Sequence, residues 1–147
     1  MIEPIEIIYD IESLEGTCYV EIKPGRYTGN HWNKDSIYFT DETFTYLSKC
    51  IEKNYENYSL WGMSEINKDT WEKILNDLVL LNRFLTITPS ENEIRNMIGF
   101  LFEDETENNF RKNYEQNIVS LTSLINEFVK WISDQLNDQE YITILGI

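Results

Sequence analysis

Apolar residues alternate with polar ones near the start of the chain, recur every third or fourth position through most of its length, and alternate again in the closing YITILGI. In EPIEIIYDIE the residues Ile5, Ile7, Tyr9 and Ile11 share one face, with Ile8 out of phase, which predicts a half-buried strand. After Glu15-Gly16, TCYVEIK places Cys18, Val20 and Ile22 on one face of a second strand. The turn-rich PGRYTGNHWNKD, Pro24 to Asp35, then leads into SIYF, a short third strand.

The period changes at Thr40. TDETFTYLSKCIEKN sets Phe44, Leu47, Cys50 and Ile51 on one helical stripe behind a Thr40 or Asp41 cap. Tyr55 to Ile66 is irregular or strand-like. From Asn67 to about Leu85 the residues Trp71, Ile74, Leu78, Leu81 and Leu85 follow the spacing of a core-facing helix. Asn67 or Asp69 can cap it, and Glu72 stands three residues beyond Asp69, as a capping box requires. Thr88-Pro89-Ser90-Glu91 predicts another helix start, with Ile94, Ile98 and Leu101 facing inward. The longest pattern runs through Phe110, Tyr114, Ile118, Leu121, Ile125, Phe128 and Ile132, as one helix or two broken near Ser120 to Ser123. A strand at each end with about four helices between them is an α+β arrangement. The last strand must return to the N-terminal strands, since an isolated strand cannot satisfy its backbone. That places residues 1–147 in one domain built on a small antiparallel sheet.

Length and composition agree with a packed core: 147 residues, 41% of them hydrophobic. The chain has no Ala and uses Ile, Asn and Tyr heavily, a bias of coding sequence that weakens arguments from propensity. Charge changes the picture more. Twenty-six acidic residues against twelve basic ones give a formal charge of −14. Such a surface argues against direct contact with nucleic acid or an anionic membrane and favours fast capture of a basic protein. The N-terminus lacks the basic start and apolar stretch of a signal peptide, and no apolar run approaches membrane-spanning length, so a cytoplasmic location is expected. Cys18 and Cys50 read as buried thiols rather than a disulfide.

Candidate chemistry is sparse. His31 is the only histidine, no zinc-type ligand spacing or phosphate-binding Gly loop occurs, and DETENN lacks the Gly of a calcium loop. No cofactor or metal is expected. Paired carboxylates are abundant, which makes them nonspecific as a hydrolytic signal. The run Glu103-Asp104-Glu105-Thr106-Glu107 stands out: four acids in five residues exceed what a helix cap uses. It reads as a cap or as a docking patch for Lys and Arg of a partner. The loop from Gly25 to Asp35 mixes Arg26, Tyr27, His31, Trp32 and Lys34, residue types common at binding hot spots. Trp32 there is either a lid over the core or, with Asp35, part of a contact surface.

The order IYFTDETFTYLSKCIEK, WGMSEINKDTWEKILNDLVLLNRFL, a long C-terminal helix and EYITILGI resembles small bacterial immunity proteins encoded beside polymorphic or contact-dependent-inhibition toxins. The resemblance covers roughly residues 36 to 147. Its most specific pieces are the Gly62-x-Ser64-Glu65-Ile66 approach to a helix led by Trp71 and the terminal Ile144 to Ile147. It implies a non-enzymatic inhibitor that binds a cognate toxin C-terminal domain, in many cases a basic nuclease, and blocks its active site or substrate surface. No binding residue carries over by motif, so the partner-binding candidates remain Glu103, Asp104, Glu105, Glu107, Trp32 and Asp35. Two other classes stay open: an acidic DNA mimic that occupies a host nuclease, and a small carboxylate-dependent hydrolase. By the same pattern Trp61 and Met63 are expected to pack over the start of the Trp71 helix, with Gly62 allowing the bend.

Overall fold

The computed structural model describes residues 4–87 and 90–147. Four antiparallel strands form one sheet: β1 (Tyr19–Pro24), β2 (Ile37–Thr40), β3 (Met63–Asn67) and β4 (Tyr141–Leu145), in the order β2-β1-β4-β3. The helices are α1 (Asp41–Thr45), α2 (Ser48–Asn54), α3 (Lys68–Thr86), α4 (Ile94–Met97), α5 (Glu103–Lys112) and α6 (Tyr114–Gln135). The α+β reading holds, and the closing strand crosses back as expected. β4 pairs with β1 through Ile22↔Ile144 and with β3 through Ile66↔Ile142. It is thus the strand that joins the two halves of the sheet.

One face of the sheet carries Val20, Ile22, Ile37, Phe39, Ile66, Ile142 and Ile144, all essentially inaccessible to water. The helices cover this face. Phe39, Phe44, Phe128 and Trp71 meet edge to face at its centre, with ring centroids 5.2 to 6.4 Å apart. The Trp71 indole N–H donates to the Ile142 carbonyl at 3.0 Å, which fixes α3 against β4. Of the two caps open for α3, Asn67 is the one used: its Oδ1 accepts from the Thr70 amide at 2.9 Å. Thr40 likewise caps α1.

Several expected elements take another form. From Pro4 on, the described residues of the N-terminal segment form no strand. The segment touches the sheet through one bridge, Ile8↔Tyr38, and leaves it where Asp10 accepts from the Glu12 amide and caps a single 3-10 turn, Ile11–Ser13. Cys18 is exposed, because it precedes the first paired residue of β1, whereas Cys50 is buried. The strand-like stretch before Asn67 resolves into β3, which the α+β reading did not count in the sheet. Thr88 and Pro89, the expected cap and first helical residue, lie outside the described residues. After Ser90 a 3-10 turn, Glu91–Glu93, leads into the single turn of α4. Gly99 lies against the α1–α2 corner, where a Cβ would sit 2.6 Å from both the Thr45 carbonyl and Ser48 Oγ. The chain passes that corner extended, with Ile94 and Ile98 buried and Leu101 only half-buried. The long C-terminal pattern breaks at Asn113, not near Ser120 to Ser123. Asn117 Nδ2 donates to the Phe110 carbonyl at 2.8 Å and satisfies an acceptor the break would orphan.

Among the described residues no helix is long and apolar enough to cross a membrane.

Candidate functional site

The second face of the sheet carries Tyr19, Glu21, Lys23, Tyr38, Glu65 and Thr143, yet Glu21, Tyr38 and Thr143 are as buried as the core. The loop from Gly25 to Asp35 folds back across it. Glu21 anchors that loop: its carboxylate accepts from the amides of Trp32 (2.6 Å) and Asn33 (3.0 Å), from Asn33 Nδ2 (2.9 Å) and from the Ser36 hydroxyl. Glu65 makes a second anchor, accepting from the Tyr27 amide at 2.9 Å beside Arg26, whose guanidinium stacks over the Tyr141 ring. Trp32 adopts φ 66°, unusual for a large residue, and its ring lies 5.8 Å from Tyr38 and 6.4 Å from Tyr19. His31 packs against Tyr27 and Trp32. Burial, followed by the nearby Glu21 carboxylate, pushes the Tyr38 phenol up to about 12. Trp32 is therefore a lid over the outer sheet face. Asp35 stays exposed at the end of the loop.

The acidic run lies elsewhere, on the first turn of α5. That helix has no side-chain N-cap. Instead Thr106 Oγ1 donates to the Phe102 carbonyl at 2.8 Å and accepts from the Phe102 amide. Glu103, Asp104 and Glu105 are exposed on the first turn, where the helix dipole stabilises negative charge. Glu107 is set apart from them. It is buried, and one of its carboxylate oxygens binds Arg95 and Arg111, each at 2.9 Å. This internal tie fastens α4 to α5 and leaves Glu107 no role on an open surface. The Arg95 guanidinium holds its proton more firmly than usual, chiefly through the Glu107 hydrogen bond and charge, with Asp104 and Glu103 adding to it.

The α5 start forms a ridge between two clefts. One, of about 310 Å³, has Glu103 and Asp104 on its wall but also Lys49 and Arg95, so its charge is partly balanced. The other, of about 350 Å³, brings Glu105 together with Asp41 and Glu42 of α1, the exposed thiol of Cys18, and Leu101 and Phe102. No cation lines it. Phe102 is 61% exposed. The structure thus adds Asp41, Glu42 and Phe102 to the acidic surface. In the sequence Asp41 stands only as a cap candidate and Phe102 carries no signal, because the cleft joins segments some sixty residues apart. Neither this surface nor any other group of described residues gathers three His, Cys, Asp or Glu side chains in a metal-binding cluster.

The two pieces that carry the resemblance meet in space. The Gly146 amide donates to the Gly62 carbonyl at 2.8 Å and that of Ile147 to Leu60 at 2.9 Å. A Cβ on Gly146 would overlap the Leu60 carbonyl, so only glycine allows this approach. Trp61 does not pack over the α3 start as expected. It is 73% exposed, because the backbone pairing with the C-terminus turns its side chain outward. No protein-family model, curated protein or solved structure matches the chain.

Proposed function

We propose that this chain is an immunity protein that captures a basic toxin domain, in the first instance a nuclease encoded beside it, and covers that domain's active site or substrate surface. The observation that carries the reading is the cleft in which Glu105, Asp41 and Glu42 surround the exposed Phe102, on a chain of formal charge −14. An aromatic anchor rimmed by charges of one sign suits a partner bearing Lys and Arg. The long-range field raises the encounter rate, and burial of the ring slows release. Glu103 and Asp104 extend the rim on the other side of the ridge. The resemblance of the Gly62–Trp71 segment and of the Ile144–Ile147 terminus to immunity proteins supports the same class.

The test is direct binding to the C-terminal domain of the secreted protein encoded next to this chain. Association should slow as salt rises. The triple variant Glu103→Lys, Asp104→Lys, Glu105→Lys should reduce the association rate at least about tenfold with the fold intact. Phe102→Ala should act mainly on dissociation. No binding to that domain would sink the function. Binding that ignores both variants would leave the function and move its surface elsewhere.

A further inference from the structure

The two outer edges of the sheet differ. On β2 the Tyr38 amide and carbonyl exchange hydrogen bonds with Ile8, both at 2.8 Å. β3 forms the other edge. Its ladder to β4 is bonded at the even positions. The Gly62 carbonyl accepts from Gly146 and the Lys68 amide donates to Glu140, each at 2.8 Å, in register with Ser64↔Ile144 and Ile66↔Ile142. In an antiparallel pair the intervening residues turn their backbone groups the other way. The N–H and C=O of Met63 and Glu65 and the N–H of Asn67 therefore point off the sheet, and no described residue bonds them. Soluble proteins blunt an open edge with Lys, Pro or a bulge. None of these interrupts Met63–Asn67. Instead Trp61 and Met63 stand at its start, 73% and 48% exposed.

We infer that β3 is a docking edge, to which an extended, uncharged segment of another protein adds as a fifth strand. The row of backbone donors and acceptors specifies an extended main chain as the occupant, and alternate side chains of that segment lie against Met63 and Trp61. Charge narrows the choice. From Asn57 through Asn67 the one charged residue is Glu65, and its carboxylate is engaged by the Tyr27 amide and Arg26. A basic segment thus finds no unengaged carboxylate on this edge, and an acidic one is repelled by a chain of −14. A second copy fits poorly. A two-fold axis at Glu65 sets the two Glu65 side chains directly opposite, and an axis at Ser64 or Ile66 makes them diagonal neighbours, where like charges repel. A neutral strand with apolar residues at alternate positions meets none of these penalties. The edge shares no residue with the Glu105–Phe102 cleft, so docking here does not depend on the proposed capture of a toxin.

A displayed library of random twelve-residue peptides, selected on the full chain, tests the edge. Selected peptides should be rich in alternating apolar residues. On binding, they should slow hydrogen exchange at the Met63 and Glu65 amides, followed by NMR on the parent chain. Met63→Pro removes one outward N–H at the first residue of the strand, where proline is tolerated, and breaks no bond to β4. It should weaken these peptides at least about tenfold, whereas Met63→Leu, which keeps the N–H, should not. Trp61→Ser should also weaken them with the melting temperature unchanged, because the ring is exposed. Peptides that bind while the Met63 and Glu65 amides exchange as in the free chain overturn the inference, and so does a selection that yields no binder. Protection of those amides in the chain alone, growing with its concentration, would assign the edge to a second copy and equally overturn it.

Discussion

Glu21 lies on an inner strand with its side chain directed away from the hydrophobic core, and water still does not reach it. Four donors from residues 32 to 36 converge on its carboxylate. Glu21→Ala leaves those donors without an acceptor under the loop, and should cost about 2–4 kcal/mol. Denaturant unfolding measures the loss. Fluorescence of the native state adds a local readout, since release of the loop moves Trp32 off Tyr38 and into water. A cost under about half a kcal/mol would mean that the loop holds itself in place. The alternation of β1 correctly marks Val20 and Ile22 as inward, but that same pattern assigns Glu21 to a solvated face. Its burial depends on a loop that begins four residues later and folds back over the strand, which periodicity cannot register. Glu107 is hidden for a similar reason: in sequence it closes an acidic run, and in space it is the one member turned toward two arginines from different helices.

At the scale of elements, type was more legible than boundary. Helix α3 runs from Lys68 to Thr86, close to the expected Asn67 to Leu85, because its apolar stripe is long and regular. The sequence alone leaves its cap open between Asn67 and Asp69, both good N-cap types. Asn67 has extended backbone angles (φ −77°, ψ 166°) and reaches the Thr70 amide, while Asp69 already lies inside the first turn. Asn67→Ala should therefore lower stability by about 1 kcal/mol, and Asp69→Ala by less, since the latter loses only a favourable charge near the helix start. Equal costs, or a larger one at Asp69, in a thermal or denaturant melt would contradict this assignment of the cap. The breaks were harder to see. Gly99 ends one helical pattern by abutting α1 and α2, and Asn113 interrupts a three-and-four rhythm that continues unbroken through Phe110, Tyr114 and Ile118. Both are imposed by tertiary packing, and neither disturbs the local hydrophobic period. The first strand failed in the other direction. Its alternation is real, but Asp10 caps a turn that takes the chain off the sheet after one bridge.

For the whole molecule, the return of the C-terminal strand followed from the need to satisfy its backbone, whereas β3 on its far side, and the clefts beside α5, required knowing which distant segments meet. Charge acts at this scale as well. Ion pairs join Arg26 to Glu65, Lys53 to Asp77, and Arg95 and Arg111 to Glu107. The chain carries 26 acidic residues against twelve basic ones, and the mutual repulsion of the excess acids works against the compact state. Screening shortens that repulsion to about 10 Å at 0.1 M salt, but weakens the exposed Lys53 and Arg26 pairs too. The exposed pairs contribute little individually, and the Glu107 tie is shielded by burial, so relief of repulsion should prevail. The melting temperature should rise by about 2–5 °C between roughly 10 mM and 0.3 M NaCl, equivalent to about 1 kcal/mol for a chain of this size. NaCl is the salt to use, because sulfate would also strengthen apolar burial. A melting temperature that falls with NaCl would show that the ion pairs outweigh the excess of acid, and that the fold tolerates its −14 charge by local compensation.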